Sequence, residues 1–287
     1  MSMLADRESA GRFPQGGFPQ LGLWQHLPNS SVSRFLSIMG WDFVVLDMQH
    51  GMATYETAHQ CIYALRDRGT QPWVRTSINS PSDVQRVLDI GAHAVVVPMV
   101  NSLAEAKELV AAAKYPPLGS RSIGGDNHIH LGSDYPEQAN DTTKLIVQIE
   151  HLDGVREVEE IMALPGVDGC FVGPVDLALS MNLSLDNFAE DAELQANILR
   201  TLDACLTHGK TACCNTFSLA DAKQKVEQGF QYITQMSEVD LMVQAGGRLR
   251  QELANYRSDE IDGKRPRFVD REQTTHGIKS GKEVELS

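Results

Sequence analysis

The stretch LIVQIEHLDGVREVEEIMALPGVDGCFVGPVDL, residues 145–177, decides the fold that we predict. Two short apolar runs, 145–150 and 169–174, flank a segment with the apolar spacing of a helix and a glycine at its end. A strand, a helix and a second strand in this order imply parallel pairing through a right-handed crossover.

The same alternation recurs along the whole chain. Apolar runs predict eight strands, at residues 21–25, 43–49, 72–76, 94–100, 145–150, 169–174, 211–216 and 232–237. Eight strand–helix units favour a closed (β/α)8 TIM barrel over an open doubly wound sheet, because no GxGxxG motif follows any strand. We assign this single-domain barrel to residues 21–257, between an N-terminal segment, 1–20, and a polar tail, 258–287.

Composition excludes several classes of partner. A net charge of -13 argues against a nucleic-acid or anionic membrane surface, since either would be met by clustered lysine and arginine. No apolar run is long enough to span a membrane, and the N-terminus lacks the apolar core of a signal peptide. The five cysteines are odd in number and form no CxxC, which indicates reduced thiols. We expect a cytoplasmic protein that acts on small molecules.

Polar side chains follow the predicted strands, at the end where a barrel builds its active site. They are Gln25 and His26 in strand one, Asp47, Gln49 and His50 in strand two, Arg75 in strand three, Gln148 and Glu150 in strand five, Gly173, Pro174 and Asp176 in strand six, Asn215 and Thr216 in strand seven, and Gln235 and Ser237 in strand eight.

Two carboxylates in this set suit a divalent cation. Glu150 and Asp176 end adjacent strands, and Mg²⁺, Mn²⁺ or Co²⁺ would keep open positions there for water and substrate oxygens. The alternative, a pair of solvated or helix-capping acids, is equally compatible with the sequence alone. Arg75 could hold a substrate carboxylate, stabilise an oxyanion or pair with Glu150.

The remaining candidates concern proton transfer. Asp47 and His50 are either a proton-transfer pair or a solvated strand end. No lysine ends a strand, which disfavours Schiff-base chemistry. His128 and His130 lie in a glycine-rich loop and are more typical of solvated or lid residues than of metal ligands.

Several segments together resemble the HpcH/HpaI aldolase family, from about Leu21 to about Tyr256. The segments are LDMQHG, WVRT, RVLDIGAHAVVVPMVNSLAEAKELVAAAKYPPLGSRSIGG and LIVQIEHLDGVREVEEIMALPGVDGCFVGPVDLALSM. The resemblance implies a metal-dependent (class II) aldolase. Such an enzyme cleaves or forms a 4-hydroxy-2-oxo acid, to or from pyruvate and an aldehyde, through a metal-bound enolate.

The resemblance also implies roles for individual residues. Glu150 and Asp176 match the acids that bind Mg²⁺, Mn²⁺ or Co²⁺, and Arg75 matches an arginine on the oxo-acid oxygens. Asp47 and His50 match an acid–base dyad. The substrate-binding positions are Arg75, Gln148, Gly173, Pro174, Val175 and Asp176.

An oligomer is implied as well. Asp89 matches an acid that reaches a neighbouring subunit's site, so we expect a homo-oligomer, a hexamer or a trimer, with a C-terminal helix exchanged between partners.

The chain departs from the family pattern at several positions. Gln49 stands where most members have glutamate, and the loop GGDNHIHLGSDY, residues 124–135, is unusual and expected over the mouth. Three enzymatic alternatives stay open: an oxaloacetate decarboxylase, a carbon–carbon bond-forming enzyme like macrophomate synthase, and a CoA-ester lyase. The non-enzymatic alternative is a ligand-binding barrel that has lost catalysis.

Overall fold

The computed structural model describes residues 18–124, 129 and 132–260, without the side chains of 256–260. Eight parallel strands close into a barrel in sequence order, which confirms the predicted TIM barrel. The strands are β1 (Gln20–Gln25), β2 (Phe43–Asp47), β3 (Gln71–Arg75), β4 (Ala94–Val97), β5 (Lys144–Ile149), β6 (Gly169–Val172), β7 (Thr211–Thr216) and β8 (Tyr232–Ser237).

Helices surround the barrel. They are α1 (Ser30–Ile38), α2 (Tyr55–Arg66), α3 (Pro81–Asp89), α4 (Leu103–Ala113), α5 (Tyr135–Thr142), α6 (Leu152–Arg156), α7 (Val158–Ala163), α8 (Pro174–Ser180), α9 (Ala192–Thr207), α10 (Leu219–Gln228) and α11 (Glu238–Glu260). Most of the longer ones begin at a side-chain cap. Ser80, Ser102 and Ser218, for example, each accept the backbone N–H three residues later.

Two apolar layers form the core. Aliphatic side chains fill the space between strands and helices. A smaller ring of mainly large side chains fills the barrel itself, where the aromatic rings of Phe43, Trp73 and Tyr232 pack against one another in tilted and edge-to-face contacts. Gly22 leaves room for this ring, since a Cβ atom there would lie 2.3 Å from the Phe43 ring.

Five strands end earlier than predicted: β3 and β5 by one residue, β2 and β6 by two, and β4 by three. β2 stops at Asp47 because the Asp47 side chain accepts the N–H groups of Gln49 and His50 and turns the chain. β4 stops at Val97 because Met99 has a positive φ of 53° and donates its N–H to Glu150.

The loop that we expected over the mouth starts and ends at the opposite face. Helix α4 returns the chain to the amino ends of the strands, where Lys114 pairs with Asp168, just before β6, at 2.7 Å. Arg121 pairs there with Asp89, the last residue of α3. The prediction that this loop lies over the mouth is therefore wrong, since the described residues on either side of it lie at the amino ends of the strands. His128 and His130 lie outside the described residues.

Helix α11 packs on the barrel only at its start. Glu238 is buried, whereas every residue from Met242 to Asn255 is exposed. No helix within the described ranges is long and apolar enough to cross a membrane. The predicted boundaries at residues 20 and 257 stay predictions.

Candidate active site

Inward-pointing side chains change from apolar to polar along the barrel axis. Alternate residues of a strand face the same side. In β2, Phe43, Val45 and then Asp47 therefore point into the barrel, and in β3 Trp73 and then Arg75 do so. Strand β5 continues in the same way to Gln148 and Glu150. The carboxyl ends of the strands therefore carry buried charge above an apolar interior.

Asp47 and Arg75 form a buried, two-pronged ion pair. Arg75 Nε donates to Asp47 Oδ1 at 2.9 Å, and Nη2 donates to Oδ2 at 2.7 Å. The guanidinium also lies over the Trp24 ring, 4.4 Å from its centroid. Such a planar fork is held in one orientation by its partners. The sequence left open an ion pair between Arg75 and Glu150. In the structure Arg75 pairs with Asp47 instead.

A third group approaches the Asp47 carboxylate. His26 Nε2 lies 3.4 Å from Asp47 Oδ2, and its side chain is 35% exposed. Burial favours the neutral acid, but His26 and Arg75 outweigh this effect and hold the pKa of Asp47 well below its usual range. In return, the contact with Asp47 raises the pKa of His26 against the opposing effect of burial.

Glu238 fixes the loop that carries His26. Its carboxylate accepts the backbone N–H of His26 at 2.9 Å and that of Leu27 at 2.6 Å. Sequence reasoning placed His26 at a strand end but gave it no role. Its position two residues after the inward-facing Trp24 is the signal that could have found it.

His50 lies at the rim of the site. It is exposed, and its backbone N–H donates to Asp47 Oδ1 at 3.3 Å. The ring of His50 has no described contact with Asp47. Its neighbour Gln49 carries a buried Oε1 atom that no described residue meets with a hydrogen bond.

Glu150 is a buried carboxylate held by two donors. Oε1 accepts the Met99 N–H at 2.8 Å, and Oε2 accepts the Gln148 amide at 2.6 Å. Burial raises the pKa of Glu150 to about 7, and the charge of Asp176 adds to this effect against the Met99 hydrogen bond. Gln148 Oε1 is buried and has no hydrogen-bond partner among the described residues.

The turn after β6 brings Asp176 towards Glu150. Gly173 is required here, because a Cβ atom would lie 2.6 Å from Glu150 Oε2. The Gly173 N–H donates to the Ile149 carbonyl, and Pro174 has no N–H. The backbone N–H groups that the turn can offer to a ligand are therefore those of Val175 and Asp176. Asp176 is exposed in the first turn of α8 and makes no described hydrogen bond, so the helix-capping alternative has no support.

Asp89 lies away from these groups. It pairs with Arg121 at the amino end of the barrel, next to the rings of Tyr115 and Tyr135. The structure thus brings Asp47, Arg75, Gln148, Glu150 and the Gly173 turn to one barrel end and leaves Asp89 at the other.

The site can be compared with known proteins. The family model described as HpcH/HpaI aldolase/citrate lyase matches residues 20–245. The chain belongs to this family. The match includes every residue that we predicted for the site, and HpcH/HpaI membership makes the chain a carbon–carbon lyase. The non-enzymatic alternative is therefore wrong.

Individual HpcH/HpaI relatives are similar over most of their length. A hydroxypyruvate/pyruvate aldolase of Rhizorhabdus wittichii is 33% identical over 84% of this chain and 96% of its own. A 4-hydroxy-2-oxo-heptane-1,7-dioate aldolase of Salmonella typhi is 32% identical over 76% of this chain and 84% of its own. A solved family member from Burkholderia cenocepacia has a TM-score of 0.77 at 31% identity, over 83% of this chain and 96% of its own.

Proposed function

We propose that the protein is a metal-dependent aldolase that cleaves or forms a 4-hydroxy-2-oxo acid, to or from pyruvate and an aldehyde. The observation that carries this proposal is the buried Asp47–Arg75 pair at the same barrel end as the carboxylates Glu150 and Asp176. The names of the two aldolase relatives support the same substrate class.

The residues present fit a divalent metal ion. Glu150 and Asp176 are hard oxygen donors whose like charges oppose each other, and a cation would stabilise both ionised forms. Among the described residues, no three or more acidic, histidine or cysteine side chains are placed so that they could together hold a metal ion. Two carboxylates completed by water and substrate oxygens are a usual arrangement for Mg²⁺. When bound, the ion acts as a Lewis acid on the 2-oxo acid.

Arg75 is placed to stabilise developing negative charge. Asp47 engages Nε and Nη2, and no described residue accepts a hydrogen bond from Nη1. We propose that Nη1 donates to the oxo-acid oxygen as the enolate forms, which is an interaction that strengthens towards the transition state. The Val175 and Asp176 N–H groups would bind the substrate carboxylate.

An imidazole beside Asp47 would move the proton. In the cleavage direction it takes the proton of the C4 hydroxyl, and the C3–C4 bond breaks to release the aldehyde. The family resemblance assigns this role to His50. Decarboxylation of oxaloacetate gives the same pyruvate enolate by loss of CO₂ and needs no such base.

A coupled assay for pyruvate release tests the proposal. We expect release from 4-hydroxy-2-oxoheptane-1,7-dioate or a shorter 4-hydroxy-2-oxo acid in the presence of Mg²⁺, Mn²⁺ or Co²⁺. Glu150→Gln should lose this activity, whereas Glu160→Gln, on the exposed face of α7, should keep it. Release from oxaloacetate alone would favour the decarboxylase, and activity in Glu150→Gln equal to that of the natural chain would refute the metal site.

A further inference from the structure

We propose that Asn215 and Thr234 are positioning residues that act on Arg75 through the indole of Trp24. Both side chains bond to Trp24 Nε1. The Trp24 ring in turn lies against the Arg75 guanidinium. The inference rests on the proposed aldolase function, in which Arg75 Nη1 donates to the oxo-acid oxygen, and it names the residues of β7 and β8 that help to orient this donor.

Asn215 and Thr234 are polar side chains inside the mainly apolar barrel. Cys213 and Tyr232 face the barrel interior two residues earlier in β7 and β8, and alternate residues of a strand face the same side. Asn215 and Thr234 therefore point inwards as well. They stand directly opposite each other in the register of the two strands, and Thr234 is fully buried. Polar groups in such a layer need hydrogen-bond partners.

Three hydrogen bonds form a triangle at the edge of the Trp24 ring. The Nε1–H group is shared between Thr234 Oγ1 at 3.0 Å and Asn215 Oδ1 at 3.2 Å, and the Thr234 hydroxyl donates to the same Oδ1 at 3.0 Å. An indole N–H can only donate, so the amide must turn its oxygen towards the ring. One acceptor would satisfy the N–H group. Two acceptors on different strands also fix the direction in which it points.

The triangle lies where the pairing of β1 is irregular. On the β8 side, the register of β1 shifts between Gly22 and Trp24. The bonds from Nε1 to Thr234 and Asn215 link β1 to β8 and β7 across this irregularity. Phe171 contacts the ring edge to face, with 5.4 Å between the ring centroids. The indole is therefore held both at its N–H group and by an aromatic neighbour.

The Trp24 ring completes the support of Arg75. Its centroid lies 4.4 Å from the guanidinium carbon. The two bonds to Asp47 fix the guanidinium within its plane but allow this plane to tilt about the line of contact with the carboxylate. A ring against the guanidinium opposes the tilt, and the attraction between the cation and the aromatic ring adds to this support. Asp47 and Trp24 together hold Nη1 in one direction.

Exchange of the C3 protons of pyruvate with D₂O tests the proposal, because it forms the enolate without an aldehyde. The C3–H bond breaks, its electron pair forms the C2=C3 bond, the proton passes to solvent and a deuteron from D₂O takes its place at C3. Proton NMR at saturating Mg²⁺ measures the rate. The kcat of pyruvate release from a 4-hydroxy-2-oxo acid, which passes through the same enolate, is measured in parallel.

The variants remove one bond of the triangle at a time. We expect Thr234→Val and Asn215→Leu each to lower kcat by about fivefold or more, the size of a partly desolvated cation–π contact. The KM for pyruvate should change little, because the lost interaction belongs to the transition state. Thr234→Ser keeps the hydroxyl and should retain kcat. Thr201→Val, which removes a buried hydroxyl from α9, is the control.

Two further readouts separate positioning from a structural defect. Trp24→Phe keeps a ring but has no N–H group to hold, so adding Thr234→Val to it should lower kcat no further. Crystal structures of the metal-free natural chain and of Thr234→Val should show a rotated Trp24 ring and a tilted Arg75 plane in the variant. If Trp24→Phe does not fold, the structures and the Thr234→Val and Thr234→Ser pair still carry the test.

The positioning role would be overturned by any of three results. They are a natural kcat in Thr234→Val, an equal loss of kcat from Thr234→Val with and without Trp24→Phe, and an Arg75 plane that does not move in Thr234→Val. The proposed function fails instead if the natural chain, with Mg²⁺, Mn²⁺ or Co²⁺, neither exchanges pyruvate protons nor releases pyruvate from any 4-hydroxy-2-oxo acid. The two failures are thus distinguishable.

Discussion

At Gly173 the absence of a side chain sets the geometry of the site. The backbone approaches Glu150 so closely that an added Cβ atom would lie 2.6 Å from Oε2 and 2.8 Å from the Glu150 Cβ atom. The obstacle includes the root of the Glu150 side chain, which cannot move away without displacing β5. Gly173 thus determines where the carboxylate stands.

Gly173→Ala should therefore damage the site more than the fold. We expect a loss of aldol activity of about 100-fold, since small displacements of catalytic groups have effects of this size. The measurement is kcat/KM for pyruvate release. Gly124→Ala is the matched control, because a Cβ atom there meets no atom of the described residues within 4 Å. Equal activity in the two variants would contradict the account.

The sequence predicted most of the charged residues at the mouth but not their pairing. Inward alternation along β2, β3 and β5 is visible in the sequence, so Asp47, Arg75 and Glu150 could be found. The choice of partner depends on distances between strands. Asp47 meets Arg75 because β2 and β3 pair with these two residues opposite each other.

At the scale of elements, Lys114 ties the end of α4 to the start of β6. Its ammonium lies 2.7 Å from Asp168 and donates to the carbonyls of Asn140 and Thr143, and its side chain is 1% exposed. Burial lowers the pKa of Lys114 in spite of Asp168. This cluster closes the amino face of the barrel.

Removing one partner of this pair should be costly. Lys114→Met leaves two carbonyls without their donor and leaves Asp168 with only the Leu145 N–H and the more distant Lys144 ammonium. We expect the free energy of unfolding to fall by about 3 kcal/mol. Urea denaturation measures the change. Lys107→Met, on the exposed face of α4, is the control and should unfold like the natural chain. A Lys114→Met variant of unchanged stability would be inconsistent with this description.

The elements themselves were largely predictable, because each strand and helix has its own periodicity. The loop of residues 124–135 was misplaced for a topological reason. Helix α4 crosses back to the amino ends of the strands before this loop begins, and Lys114 and Arg121 hold its described flank there. Composition alone carries no information about the face on which a loop lies.

At the scale of the whole molecule, α11 is the helix that packs on the barrel only at its start and leaves apolar side chains exposed. Leu249 and Leu253 are 57% and 58% exposed and lie four residues apart, on one face of the helix. A single chain gives them no apolar neighbour on the barrel. The predicted hexamer or trimer would cover them.

Charge introduced on this face should dissociate the oligomer. We expect the natural chain to elute as a hexamer or trimer and a Leu249→Glu, Leu253→Glu double variant to elute as a smaller species. Size-exclusion chromatography with light scattering measures the mass. Gln251→Glu, also exposed on α11, tests the effect of a charge elsewhere on the helix. A monomeric natural chain would refute the predicted assembly.

The central claim is that Glu150 and Asp176 hold a divalent ion that the aldol reaction requires. Pyruvate release from a 4-hydroxy-2-oxo acid, measured before and after treatment with EDTA, tests it most directly. We expect activity to disappear in EDTA and to return on addition of excess Mg²⁺, Mn²⁺ or Co²⁺. Full activity in the presence of the chelator would contradict it.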